Sequence, residues 1–341
     1  MSVLFDIGHP AHVHLFKNFI KYLTGKGIKV VTTSRDKEIT NTLLEHYGIE
    51  YVSLSAPRKG LFNMFLELLV RDYEILKLHR KHQFTYAFGT SVSIAHLSAI
   101  TQVKSYNFNE DDDDVVALYT NITYPFCTKI INPDCLRYNK WRERRVLYPS
   151  YHELAYLHPN NFKADESVLQ KYGLEKGKYV IFRLVALAAH HDIGAKGISA
   201  ALKAKMQAEL SGYHIVESFE GKAGNKVDPW DMHHLLAFAK MIISDSQTMT
   251  IEAAVLGIPA IRINTFIGKS TVIDELEQKY LLAYGFFPHQ EQTILDTLKS
   301  LLANTSLEQD WKQKQQTFLN DKVDFNNWMI QYFEQEIKTS V

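Results

Sequence analysis

The sequence has few of the features that mark secreted, disulfide-bonded or membrane-spanning proteins. Its 341 residues include two cysteines, Cys127 and Cys135, which form no CxxC pair and cannot build a disulfide framework. The N-terminal residues have neither the basic segment nor the long apolar segment of a signal peptide, and no apolar run reaches the roughly 18 residues of a membrane span. We therefore expect buried or inert thiols in the reducing cytoplasm.

The sequence also lacks an excess of charge of either sign. Lysine and arginine together number 38, as do aspartate and glutamate, so no overall field favours binding to nucleic acid or to an anionic membrane. A local basic patch is still compatible with this balance, because net charge does not describe how the charges are distributed. Because 341 residues exceed one typical core, two domains are expected. The turn DIGHPAH lacks the second and third glycines of a GxGxxG motif, which disfavours a Rossmann dehydrogenase.

What the sequence does have is a repeated alternation of short apolar runs and helix-period segments. SVLFDIG, IKVVTTS, TYAFGTS and KSYNFNE are predicted strands with helices between them. The alternation pauses over 132–177, an interval with three prolines, and restarts at KYVIFRL. This pattern predicts an α/β protein with two doubly wound, Rossmann-like domains over 1–160 and 161–320. Ligands are expected at the carboxyl ends of the strands, in a cleft if the domains face each other.

The stretch IISDSQTMTIEAAVLGIPAIRIN, residues 242–264, places small polar residues between a buried strand and a helix. A helix start offers unpaired N–H groups and a partial positive charge, and Ser244, Ser246 and Thr248 add hydroxyls, so the turn is suited to phosphate oxygens. The alternative is that these residues only cap the helix. Glu252 lies six residues after Ser246, rather than the three of a capping box, and is placed to accept bonds from sugar hydroxyls.

The order strand, Ser-rich turn, helix with Glu, Gly-x-Pro and strand resembles the nucleotide-sugar site of the GT-B superfamily. That superfamily includes the N-acetylglucosaminyltransferase of peptidoglycan synthesis and the non-hydrolysing UDP-N-acetylglucosamine 2-epimerase. More closely, DIGHPAHVHLFKNFI, YHELAYLHPNNF and DSQTMTIEAAVLGIPAIRIN resemble a family of GT-B-like proteins of unknown function, over nearly the whole chain.

The resemblance implies that the second domain binds the nucleotide sugar, which is UDP-linked, and that the last helix, over 321–341, packs back on the first domain. Glu252 would contact the ribose, and Asn264 and Lys269 would line the same cleft. The residues implied at the diphosphate are Ser244, Asp245, Ser246 and Thr248.

The turn after the first strand is the second candidate. Gly8, His9 and His12 lie where a doubly wound sheet forms its site, and imidazole titrates near neutral pH. His12 and His9 are therefore candidates for a catalytic base or for contact with a phosphate, and the alternative is a structural imidazole. The alternating spacing with His14 disfavours a metal site.

Two further loops carry candidate residues. RLVALAAHHDIG resembles the substrate loop of the epimerase loosely, so Arg183, His190 and His191 are candidates for diphosphate contact. In NFNEDDDD, Glu110 lies at a strand end and is a candidate base, whereas repeated aspartates are more often a solvated cap and loop. Neither loop resembles a DxD metal site, and we expect no metal and no cofactor beyond the nucleotide-sugar substrate.

Three functions remain as hypotheses. The first is a GT-B glycosyltransferase acting on a glycan or lipid-linked acceptor in cell-surface polysaccharide or glycolipid synthesis. The second is a UDP-sugar 2-epimerase-like enzyme, and the third is a non-catalytic nucleotide-sugar-binding protein. A lipid-linked acceptor would bring the cytoplasmic protein to the inner face of the membrane, where Phe62, Phe65 and Trp141 are candidate contacts, although such residues more often lie in the core.

Overall fold

The chain divides into two compact units in the computed structural model, which describes residues 1–37, 39–58, 60–138, 140–184, 197–219 and 226–339. The first unit comprises Met1–Tyr156 and the residues from Asp324 onward, and the second comprises Leu157–Val323. Each unit has its own parallel sheet and its own buried apolar residues. None of the described helices combines the length and the apolar composition needed to cross a membrane.

The first unit is built on a parallel sheet of seven described strands in the order β3-β2-β1-β4-β5-β6-β7. Every residue of the central strand β1 is buried, as expected for a parallel strand that is covered on both faces. The strands are β1 Ser2–Ile7, β2 Lys29–Arg35, β3 Tyr51–Ser55, β4 Tyr86–Gly89, β5 Lys104–Phe108, β6 Lys129–Pro133 and β7 Arg145–Tyr148.

The helices of the first unit include the last helix of the chain. Phe19 of the first helix packs edge-to-face against Phe333 of the last at 5.8 Å, so the C-terminal helix shares the core of the N-terminal sheet. The helices are α1 Pro10–Gly25, α2 Thr40–His46, α3 Leu61–His82, α4 Val92–Ile100, α5 Ala117–Thr123 and α13 Phe325–Thr339, with short 3₁₀ turns at Tyr124–Phe126, Arg142–Arg144 and His152–Ala155.

The second unit is built on a parallel sheet of five described strands in the order β12-β11-β10-β8-β9. Its strands are β8 Tyr179–Leu184, β9 His214–Phe219, β10 Met241–Ser244, β11 Ala260–Ile263 and β12 Ala283–Phe286. Its helices are α6 Val168–Lys171, α7 Ala200–Glu209, α8 Met232–Phe238, α9 Gln247–Val255, α10 Thr271–Gln278, α11 Glu291–Ala303 and α12 Leu307–Asp321.

Each sheet has a point at which the strand order reverses, and candidate site residues lie in the turns beside these two points. In the first sheet the chain runs outward from β1 through β2 to β3 and then returns to the other side of β1 as β4. In the second sheet the reversal lies between β8 and β10. Ligands of doubly wound sheets bind at the carboxyl ends of the strands beside such a reversal. The helices that start there are α1 and α9.

The predicted alternation of strands and helices is confirmed, with one difference in its extent. The interval 132–177, which the prolines mark as a pause, begins inside β6 and contains β7, so the first sheet continues into it. Buried Tyr148 at the end of β7 stacks on Phe325 of α13 at 3.9 Å. This contact between distant parts of the chain stabilises a strand that is too short to be recognised from its pattern.

Candidate functional site

The N-terminus of α9 presents backbone donors at the reversal point of the second sheet. Ser246 is the N-cap: its Oγ accepts from the Met249 amide at 3.4 Å, and its own amide donates to Ser244 Oγ at 2.8 Å. The amides of Gln247 and Thr248, the first two helical residues, donate to no described residue, and both residues are only half-buried. Two unbonded N–H groups at the positive end of a helix are suited to an anionic oxygen.

Buried polar contacts hold the loop before α9 in shape. Asn264 Nδ2 donates to the Asp245 carbonyl at 3.0 Å, and Asn264 Oδ1 accepts from the Phe266 amide at 2.9 Å. Ser244 and Asn264 have no exposed surface, so they position the loop from inside the protein. Gly197 packs against Asp245 so closely that a Cβ atom there would lie 2.3 Å from Asp245 Oδ2.

Glu252 lies on α9 one turn beyond Thr248 and pairs with a histidine that sequence reasoning did not select. His233 Nε2 of α8 lies 2.9 Å from Glu252 Oε1, and the two side chains are only 6% and 7% exposed. The ring of Phe162 packs edge-on against the His233 ring at 6.2 Å. The imidazole therefore fixes the orientation of the carboxylate. The sequence does contain one indication of this contact. The segment DMHHLL directly precedes β10 and α9 directly follows it, and the helices on either side of this strand, α8 and α9, pack together.

Arg183 and Lys269, two further predicted residues of the second unit, lie outside α9. Arg183 Nη1 donates to Ser218 Oγ at 2.8 Å, so the guanidinium is held at the end of β9. Lys269 is exposed in the loop after β11. His190 and His191 lie outside the described residues.

The N-terminus of α1 is at the corresponding position in the first sheet, but its donors are already used. His9 is the N-cap, and its Nδ1 accepts from the Ala11 amide at 3.2 Å. Pro10 has no amide hydrogen, and the His12 amide donates to the His9 carbonyl at 3.0 Å. Gly8, just before the cap, is half-buried. The first three helical residues of α1 therefore offer a phosphate no unbonded amide.

The side chain of His12 instead contacts β4 across the reversal point. Thr90 Oγ1 lies 2.8 Å from His12 Nδ1 and 3.2 Å from its Nε2. The approach of β4 requires a glycine before Thr90, because a Cβ atom on Gly89 would lie 2.6 Å from the Asp6 carbonyl oxygen. Burial lowers the pKa of His12 to about 3. At pH 7 the imidazole is therefore neutral, so it can take part in hydrogen bonds but presents no positive charge to a phosphate.

His152 joins this cluster and was missed by sequence reasoning. Burial, together with the smaller effect of the nearby His12, lowers the pKa of His152 to about 3. His152 Nδ1 lies 3.4 Å from Glu110 Oε2, and its Nε2 is buried without a hydrogen-bond partner among the described residues. The ring stacks on Phe325 at 5.8 Å, which fixes its orientation. An unsatisfied buried nitrogen is costly, because it loses its hydrogen bonds to water on folding.

Two aspartates of the acidic run after β5, Asp112 and Asp113, have structural partners. Asp112 has no exposed surface and accepts from the Arg137 amide at 2.7 Å, and Asp113 pairs with Arg145 at 2.5 Å. The expectation of a solvated loop is wrong for these two aspartates, because each neutralises an arginine or caps a turn inside the unit. Within the described ranges, no group of three or more His, Cys, Asp or Glu is arranged to hold a metal ion.

Comparison with solved structures finds the same fold in proteins of about 10% identity. The structure described as "S. aureus MnaA-UDP co-structure" aligns over 99% of this chain and 97% of that chain, with a TM-score of 0.70 and 11% identity. UDP-GlcNAc 2-epimerase from Neisseria meningitidis bound to UDP-GlcNAc aligns over 99% and 100%, with a TM-score of 0.65 and 10% identity. Spinosyn rhamnosyltransferase SpnG, complexed with spinosyn aglycone, aligns over 98% and 100%, with a TM-score of 0.63 and 11% identity. These likenesses confirm the predicted GT-B fold.

The family of the chain follows from its sequence. No curated protein matches the chain. The family described as "Protein of unknown function (DUF354)" matches residues 1–325, a span that includes both the α1 turn and the α9 turn. The chain therefore belongs to the DUF354 family, and it has the GT-B fold that the resemblance implied.

Proposed function

We propose that the protein binds a nucleotide sugar through its second unit and transfers the sugar to an acceptor hydroxyl. The observation that carries the proposal is that the amides of Gln247 and Thr248 at the start of α9 donate to none of the residues that the structure describes. A helix start with unbonded donors favours a diphosphate. Solved proteins of this fold contain UDP or UDP-GlcNAc, which supports uridine diphosphate as the nucleotide part.

The proposed transfer breaks one bond and forms another. The acceptor oxygen attacks the anomeric carbon, the bond from that carbon to the diphosphate oxygen breaks, and UDP leaves with the electron pair. The Gln247 and Thr248 amides stabilise the negative charge that develops on the diphosphate. His12, or Glu110 beside His152, takes the acceptor proton, because these groups form the acid-base cluster of the first unit.

The substrates follow from the same chemistry. The acceptor is a hydroxyl of a glycan or of a lipid-linked glycan, as in cell-surface polysaccharide or glycolipid synthesis. No cofactor beyond the nucleotide sugar takes part in the proposed step. Support for the polymer context comes from the resemblance to the peptidoglycan transferase.

The test removes one amide from α9 without disturbing the helix. Proline at the first helical position is well tolerated, and Ser246 before it already has φ −82° and ψ 130°, the extended conformation favoured before proline. Gln247→Pro is expected to weaken UDP binding about 10-fold or more, because a hydrogen bond to a charged group contributes about 1.5–3 kcal/mol. Gln247→Ala removes the same side chain, keeps the amide and is expected to bind UDP like the wild type.

Isothermal titration calorimetry with UDP, uridine and inorganic pyrophosphate measures these affinities. The expected order is UDP above pyrophosphate, with uridine weakest, since the diphosphate meets the helix start. Wild-type protein that binds none of the three, or two variants with equal UDP affinity, would show the proposal to be wrong.

A UDP-sugar 2-epimerase is the second candidate function, favoured by the presence of several acid-base groups in the His12 cluster. That reaction removes the proton at C2 and eliminates UDP, and readdition gives the epimer. Incubation with UDP-GlcNAc in deuterated water separates the candidates. Deuterium at C2 supports epimerisation, whereas UDP release in the presence of an acceptor and without exchange supports transfer.

A further inference from the structure

Helix α3 carries an apolar face that is open to solvent. Phe62, Phe65 and Tyr73 are 72%, 54% and 62% exposed, and Leu69 and Val70 are 48% and 44% exposed. The expectation that Phe62 and Phe65 belong to the core is therefore wrong. Scattered exposed apolar residues are normal, but a contiguous set along one helix marks an interaction surface.

The opposite face of α3 explains why the phenylalanines point outward. Glu67 is buried and accepts two bonds from Arg35, at 2.7 and 2.8 Å, and buried Arg71 lies 2.5 Å from Asp6. Burial opposes ionisation of Glu67, but the bonds from Arg35 outweigh it and lower the pKa of the carboxyl group. Rotating α3 to bury its phenylalanines would break both ion pairs. The ion pairs therefore hold the apolar face in solvent.

Cations follow the apolar residues along the outer side of the helix. Helical spacing places Arg80 on the same line as Phe62 and Tyr73. Arg80, Lys77 and Lys81 are all exposed. The outer side of α3 thus changes from apolar in its first three turns to cationic in its last two.

Glu74 offsets the charge of Lys77 at this cationic end, so Arg80 and Lys81 supply most of its positive charge. Asp72 Oδ2 lies 2.7 Å from His96 Nδ1 on the neighbouring helix α4, and Glu74 lies 3.4 Å from Lys77. The α4 sequence VSIAHLSAI contains no acidic residue. Burial lowers the pKa of His82, and the charges of Lys29 and Lys81 lower it further, so Lys29 adds to the same positive group.

We infer that α3 docks on the surface of an anionic phospholipid bilayer, with its axis along the membrane plane. The aromatic and aliphatic side chains enter the interface between headgroups and acyl chains, and the cations meet the lipid phosphates. A second copy of the chain fits this surface less well. Antiparallel pairing of two α3 helices would set each cationic end against the apolar half of its partner, without a carboxylate to pair with.

The test is flotation of the full chain with two kinds of vesicle. One contains phosphatidylcholine with roughly 30% phosphatidylglycerol, an anionic lipid, and the other contains phosphatidylcholine alone. The wild type is expected to bind the anionic vesicles and to dissociate at high salt. Arg80→Gln with Lys81→Gln is expected to weaken binding about 25-fold, since each surface cation contributes about 5-fold. Phe62→Ser with Phe65→Ser is expected to weaken it about 10-fold or more.

The matched control changes exposed apolar residues of the second unit. Leu281→Ser with Val323→Ser, at positions 53% and 38% exposed, is expected to bind vesicles like the wild type. Equal binding to neutral and anionic vesicles would overturn the inference, as would binding that survives the phenylalanine substitutions. Sedimentation velocity supplies the other decisive outcome: a wild-type dimer that becomes monomeric in Phe62→Ser with Phe65→Ser assigns the surface to a second copy. UDP affinity is unaffected in every variant, so failure here is distinguishable from failure of the nucleotide site.

Discussion

The starts of α1 and α9 occupy corresponding positions in two similar sheets and offer opposite chemistry. At α9 the first two amides have no acceptor within the described part of the chain, and the cap is a serine. At α1 the first position is Pro10, the second amide bonds to the cap His9, and the nearby imidazole of His12 is neutral because it is buried. Corresponding positions in the two sheets therefore differ in the backbone donors that they offer. The start of α9 is suited to an anion, whereas the start of α1 offers an imidazole, to which the proposed mechanism assigns proton transfer.

The largest expected effect comes from removing the imidazole at α1. His12→Gln is expected to reduce the rate of UDP release from the nucleotide-sugar substrate by about 10²- to 10⁴-fold, the usual contribution of general acid-base catalysis, with UDP affinity unchanged. His46→Gln, an exposed position on α2, is the control and is expected to keep the rate. Steady-state kinetics and calorimetry on the same preparations make the measurement.

Two results would contradict the assignment of nucleotide binding to α9 and of proton transfer to α1. Loss of UDP affinity in His12→Gln, in parallel with the rate, would show that the α1 turn takes part in nucleotide binding. A rate equal to that of the wild type would point to Glu110 as the base. No UDP release from the wild type with any nucleotide sugar would point to the third hypothesis, a binding protein without catalysis.

The next largest effect concerns Glu252 on α9. If its carboxylate accepts a bond from the ribose, the wild type is expected to bind UDP about 10- to 100-fold more tightly than 2′-deoxy-UDP, and Glu252→Gln is expected to lose this preference. Glu291→Gln, on α11 and paired with Lys205, is the control. A preference for UDP that persists in Glu252→Gln would make the pair with His233 purely structural.

The smallest expected effect is on the free energy of unfolding, and it tests whether His152, beside His12, is neutral in the folded protein. The pKa of His152 is about 3 in the folded protein and about 6.5 in the unfolded chain, so the unfolded chain binds more protons between these values. The contribution of His152 to the free energy of unfolding is therefore fully present above about pH 6.5. It is lost as the pH is lowered toward 3, at no more than about 1.4 kcal/mol per pH unit.

His152→Phe retains the stack on Phe325 and removes the titrating group. Urea unfolding between about pH 7 and pH 5 is expected to show a shallower loss of stability in this variant. An unchanged slope would mean that His152 is as readily protonated in the folded protein as in the unfolded chain.

The sequence predicts the parts of the molecule that depend on residues close together in the chain. The strand before Ser246 and the helix after it follow from an apolar run, a capping residue and helical spacing, and they are present as predicted. The sequence does not identify His152 or His233 as candidate site residues, because each is distinguished only by its contact with a carboxylate elsewhere in the chain, Glu110 or Glu252. Nor did it reach the exposure of Phe62, since periodicity shows that a helix has an apolar face but not whether another element covers that face.

By itself, the sequence determined the two βα alternations and the polar turn at α9, because each depends on near neighbours along the chain, and its motifs implied the GT-B fold through their resemblance to that superfamily. The tertiary structure alone decided which of those polar groups are still available. Buried partners occupy Asn264 and Ser244, the interior neutralises His12, and the pairing of Glu67 with Arg35 holds an apolar helix face in solvent. The physical reason is that burial and hydrogen bonding depend on contacts between distant residues, and those contacts exist only in the folded chain.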